Sequence, residues 1–109
     1  MLPLLFVALQ SASPADMAQA DQMNTQFVGC LFGFARQART SSIPANQFAT
    51  RLDHACSSEE RALRSSMNRV LAARGLRRGA SAKIDDVIHQ SRQAVVKAYE
   101  RVSSANDLR

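Results

Sequence analysis

Two cysteines, Cys30 and Cys56, stand on either side of the segment RTSSIPAN, and this pair constrains the fold more than any other feature of the chain. Cys30 lies about nine residues before that segment and Cys56 about eleven after it. If both arms are helices folded back on each other, nearly equal arms place the cysteines at the same height, within about 3 Å at a rise of about 1.5 Å per residue. An even cysteine count in a chain that reads as exported predicts a disulfide. A bridge needs Cα atoms roughly 5.5–6 Å apart, closer than the roughly 8–10 Å of ordinary helix packing. Gly29 and Gly33 beside Cys30, and Ala55 beside Cys56, offer the small side chains that a close backbone approach requires. Closing this loop stabilises the fold by roughly 3–4 kcal/mol in the chain-entropy model.

The rest of the pattern is helical. No stretch alternates β-branched and polar residues as a strand would. In a first stripe, Met17, Ala20, Met23, Phe27, Cys30 or Leu31, Phe34 and Ala38 recur at steps of three and four, predicting a helix over about 17–40. Ser41 or Ser42 offers a cap for the next helix, with Pro44 in its first turn. The second stripe is Phe48, Leu52, Ala55 or Cys56, Leu63, Met67, Val70 and Leu71. Ser57 and Glu60 have capping-box spacing, which would start a new helix there. The apolar phase is kept across CSSEE, so the expectation is one long helix over about 44–74, kinked at most, and stopped by Gly75. The third stripe, Ile84, Val87 or Ile88, Ser91, Val95, Ala98 and Val102, follows heptad spacing over about 81–104. Ser81 offers its cap, and the tail SSANDLR is expected to fray. Three such stripes with short loops predict an all-α chain, an antiparallel three-helix bundle with one interhelical disulfide.

The N-terminus reads as an export signal. An apolar run from Leu2 to Leu9 leads into S-P-A, with Ser13 and Ala15 at the small-residue positions of a cleavage site after Ala15. No Lys or Arg precedes the run, and an ordinary helix start or a first residue at Met17 are the alternative readings. The run is far too short to span a bilayer, which takes roughly 20 apolar residues. The expectation is a signal peptide over 1–15 and a single helical domain over 16–109, in the periplasm or secreted.

The residues around the cysteines, FVGCLF on the first helix and ACSSEERAL on the second, resemble small exported bacterial helical proteins of uncharacterised activity. Those carry one cysteine on each of two helices, with C-x-x-E after the second. The resemblance covers about Phe27 to Leu63. It implies a compartment and a bridge, and it brings no activity and no functional residue to this chain.

No residue set points to catalysis: there is no nucleophile elbow, Gly-rich phosphate loop or paired-histidine motif. His54, two residues before Cys56, lies about 200° away round a regular helix, so the two cannot share a metal. A zinc site would need His89 to join both thiols, and no metal site or cofactor is assigned. The net charge of +5 is uneven: residues 51–80 hold seven Arg against Asp53, Glu59 and Glu60. Arg69, Arg74, Arg77 and Arg78 form a candidate polyanion- or anionic-lipid-binding tip, the bland alternative being arginines that complement a helix C-terminus. Without interleaved aromatics for base stacking, and with export, nucleic acid is disfavoured as a partner. The functional expectation is a non-enzymatic envelope interaction or accessory protein, binding an unknown protein partner or itself. The alternative is an Arg-rich tip meeting anionic membrane.

Overall fold

The computed structural model describes residues 13–107, which form four helices and no strand. They are α1 (Pro14–Thr40), α2 (Ala45–Leu52), α3 (Ser57–Ala73) and α4 (Ala80–Asp107). The apolar run Leu2–Leu9 lies outside the described residues. The S-P-A that reads as a cleavage site also starts α1. The Ser13 hydroxyl accepts from the Asp16 N–H at 3.1 Å, and Pro14 sits in the first turn, where a missing N–H costs nothing.

Two of the expected stops occur by the same device. At the end of α3, Gly75 has φ +73°, its N–H donates to Ala72 O, and the Leu76 N–H reaches back to Leu71 O. This 6→1 and 5→2 pair caps the last carbonyls. The end of α1 repeats it with Ser42 at φ +57°, Ser42 N–H to Arg39 O and Ile43 N–H to Ala38 O. Ser42 therefore terminates α1 and does not cap α2, whose N-cap position is taken by Pro44 without a side-chain bond. Ser81 likewise lies inside α4, which begins one residue earlier and continues to Asp107, past the expected fraying point.

The single helix expected over 44–74 is two helices. The chain leaves α2 at Asp53 and re-enters α3 after Cys56, whose backbone is left-handed at φ +64°. Apolar phase cannot reveal such a break, because four residues of turn return the stripe to nearly the same side. The four-helix arrangement replaces the three-helix one. Met17 and Gln19 meet Arg74 and Arg69 at one end of α1, while Cys30 meets Cys56 further along, so α1 and α3 run in opposite directions.

The core joins all four helices. Phe27, Leu31, Ala35 and Ala38 of α1 pack with Phe48 and Leu52 of α2, Leu63 of α3, and Ile84, Ile88, Val95, Val96 and Tyr99 of α4. On α4 the buried stripe is Ile84, Ile88, Arg92, Val95 and Tyr99, not the heptad through Ser91 and Ala98. A nearly straight helix turns 3.6 residues per turn and drifts about 20° per heptad away from a 3.5-residue seam. Two heptads of drift sum to about 40°, so Ser91 and Ala98 slip to one edge of the stripe, while Arg92 and Tyr99 on its other side are buried. Tyr99 stacks on Phe48 with ring centroids 3.9 Å apart, and its hydroxyl donates to the Ile43 carbonyl, tying the α1–α2 loop to α4.

Candidate functional site

The α2–α3 break is where Arg92, the one buried charged side chain among the described residues, finds its partners. In a continuous helix the carbonyls of Leu52 and Ala55 would accept from the N–H groups four residues on. Here Leu52 O accepts from the Ala55 N–H at 3.0 Å and also from Arg92 Nε at 3.3 Å, while Ala55 O accepts from Arg92 Nη2 at 2.9 Å. The third nitrogen of Arg92, Nη1, pairs with Glu60 Oε1 at 2.6 Å, and the guanidinium carbon lies 5.2 Å from the centre of the Phe27 ring. Arg92 is only 8% exposed. A charge so buried is tolerable because each of its three nitrogens has an acceptor and an opposite charge lies against it.

Glu60 continues the network. Its second oxygen accepts from Arg64 Nε at 2.9 Å, and Arg64 Nη1 pairs with Asp85 at 2.6 Å. Burial pushes the Glu60 carboxyl up, but hydrogen bonds from Arg64 and Arg92, reinforced by their charges, outweigh it and hold the group below the usual carboxylate range. Arg64 is held above its ordinary value by its bonds to Asp85 and Glu60, against an opposing effect of burial. The Ser57–Glu60 capping box does not form. The N-cap is Cys56, the Ser57 hydroxyl donates to His54 O at 3.4 Å, and Glu60 is committed to the two arginines.

Cys30 and Cys56 form the disulfide, with Cα atoms 6.0 Å apart. The route to this closeness differs from the expected one. A Cβ built on Gly29 would meet nothing within 4 Å, and one on Gly33 only the Arg36 side chain at 3.7 Å, so neither glycine faces a second backbone. Closeness comes from Cys56 itself. It sits in the turn, outside any helix cylinder, where its left-handed backbone reaches Cys30. Beside the bridge lies Glu59, one turn into α3. A carboxylate oxygen of Glu59 and both sulfurs lie within 4.8 Å of one another. His89 is exposed and does not join them; His54 is exposed in the turn.

The basic candidates do not converge on one point. Arg69 reaches Gln19 Oε1 at 3.5 Å and Arg74 reaches the Met17 sulfur at 3.3 Å, both across the α1–α3 seam. Arg77 and Arg78 are exposed in the α3–α4 loop, and among the described residues no ion pair engages them. Leu76, 40% exposed, stands between these arginines. Alongside the seam runs an apolar groove of about 240 Å³, walled by Met17, Ala20, Leu63, Met67, Val70 and Val87. Met17 and Val87 are both more than one-third exposed.

Sequence reasoning misses Arg92, Glu59 and Tyr99. Arg92 did leave a signal: a charged residue four after Ile88 and three before Val95, on the apolar stripe at helical spacing. Such a residue must be paired internally, because its neighbours on that stripe are buried. Among the described residues, no helix is long and apolar enough to cross a membrane. Comparison with protein-family models, with curated proteins and with solved structures finds no match to this chain.

Proposed function

We propose that this chain is an exported, non-enzymatic interaction protein of the cell envelope, which docks an amphipathic segment of a partner protein in the α1–α3 groove. The observation that carries this reading is the groove itself, an apolar cleft with Asp21 in its wall and Arg74 reaching Met17 at one end. Apolar walls complement the apolar face of an amphipathic segment, as in helix-in-groove recognition. The disulfide supports the compartment, since such bridges persist where the surroundings are oxidising.

The test places a photo-crosslinking residue at Val87 in cells and, as a control, at Phe32, which is exposed on another part of α1. One discrete adduct from Val87, absent from Phe32 and lost in a Met67→Glu variant, is the expected result. Equal adducts from both positions, or none from Val87, would overturn the docking reading. The mass of the envelope-purified protein tests export separately: loss of residues 1–15 and a gain of two hydrogens on reduction are expected.

A second reading is favoured by the tip, where Arg74, Arg77 and Arg78 surround the exposed Leu76. Cations around a protruding aliphatic side chain suit an anionic bilayer surface, the charges drawing the tip in and Leu76 entering the headgroup boundary. Binding to anionic vesicles and not to neutral ones, weakened by salt, would mark this mode.

A further inference from the structure

We propose that reduction of the Cys30–Cys56 bridge converts this corner of the molecule into a binding site for a thiophilic divalent cation such as zinc, with both sulfurs and the Glu59 carboxylate as ligands. Two independent observations carry the proposal. The first is convergence. Among the described residues, Cys30, Cys56 and Glu59 are the group of three metal-ligating side chains whose ligand atoms come within 4.8 Å of one another. The second is an orphan. Glu59 Oε2 is buried without a hydrogen-bond partner, alone among the buried side-chain nitrogens and oxygens described. An unpartnered buried carboxylate oxygen in an otherwise satisfied structure calls for an explanation, and an unfilled cation site is one.

The local fold supplies the rest. Cys56 is the N-cap of α3 and Glu59 is its third residue, so the spacing C-x-x-E sets carboxylate and sulfur one turn apart at the same helix end. A dithiol reductant delivers two electrons and two protons. The S–S bond breaks, Cys30 and Cys56 become thiols, and the reductant closes to its own disulfide. Zinc then displaces both thiol protons to solvent as two Zn–S bonds form, Glu59 adds one oxygen, and water completes a tetrahedron. Thiolates on one zinc stand about 3.8 Å apart, given Zn–S bonds of about 2.3 Å. Side-chain rotation from Cα atoms 6.0 Å apart reaches that spacing without moving a helix. Bridge and cation compete for the same two sulfurs, so the thiol state of the chain sets whether it holds metal. The inference is independent of the docking groove.

The experiment titrates full-length protein with Co²⁺ and then Zn²⁺, both oxidised and after anaerobic treatment with a phosphine reductant. Far-UV circular dichroism is recorded on each sample. One Co²⁺ per reduced chain is expected, with a thiolate-to-cobalt charge-transfer band that Zn²⁺ abolishes, and no binding to the oxidised chain. Glu59→Gln, which keeps its bridge and hence its oxidised fold, is expected to bind roughly tenfold more weakly, or worse, once reduced. No metal on the reduced wild type would overturn the proposal. So would equal affinity in Glu59→Gln, including the case where reduction melts the helices and a flexible dithiol binds without regard to residue 59.

Discussion

The two ends of the α1–α3 pair solve opposite problems. At the break end, four residues leave the helix and free carbonyls inside the protein. A disulfide, the Arg92 fork and the Phe48–Tyr99 stack hold that region from three sides. At the tip end, Gly75 satisfies the last carbonyls locally, and the side chains beyond it are left in water. Interruption of a helix in the interior demands long-range partners, whereas termination at the surface needs only a left-handed residue. Stability is therefore concentrated at one end and open surface at the other.

That contrast breaks first at Arg92. Arg92→Ala strands the Ala55 carbonyl and leaves Glu60 with Arg64 as its one remaining partner, and is expected to cost about 3–5 kcal/mol in urea unfolding. Next comes the bridge, which spans a sequence separation of 26. A Cys30→Ser, Cys56→Ser double variant should lose about 3–4 kcal/mol under oxidising conditions, and wild type should match it once reduced. Smaller still is Glu60→Gln, expected to cost about 1–2 kcal/mol at neutral pH. Because the folded Glu60 carboxyl is held below the ordinary carboxylate value of 4.5, its contribution is complete above that value. It is lost as the pH falls through the lower folded value, so the stabilities of Glu60→Gln and wild type should converge in acid. Least affected is the tip. Arg77→Ala with Arg78→Ala should change stability by less than about 0.5 kcal/mol while weakening any binding to anionic vesicles. A large stability loss there would erase the distinction between the two ends.

The stripe on α1, the stop at Gly75 and the pairing of Cys30 with Cys56 were all legible in the residues. Each rests on short-range chemistry: helical periodicity, the left-handed tolerance of glycine, and an even thiol count. The break was signalled by the Ser57–Glu60 spacing alone, and the apolar phase kept from Leu52 to Leu63 argued against it. Gly29 and Gly33 misled for a related reason, since their spacing on a helix does not say which side of α1 the partner occupies.

By itself, then, the sequence determined that this chain is helical, where two of its helices stop, and that its cysteines pair. Those properties belong to segments of a turn or two, where backbone hydrogen bonds and side-chain periodicity act locally. Only the tertiary structure decided that α2 and α3 are separate, that Arg92 replaces the lost backbone donor to Ala55 O, and that Glu59 stands with an unpaired oxygen beside the sulfurs. Each depends on which groups α1 and α4 bring to the turn at 53–56. Separations of tens of residues carry no periodic signal, and desolvation at that turn makes every unpaired polar group costly enough to select one arrangement.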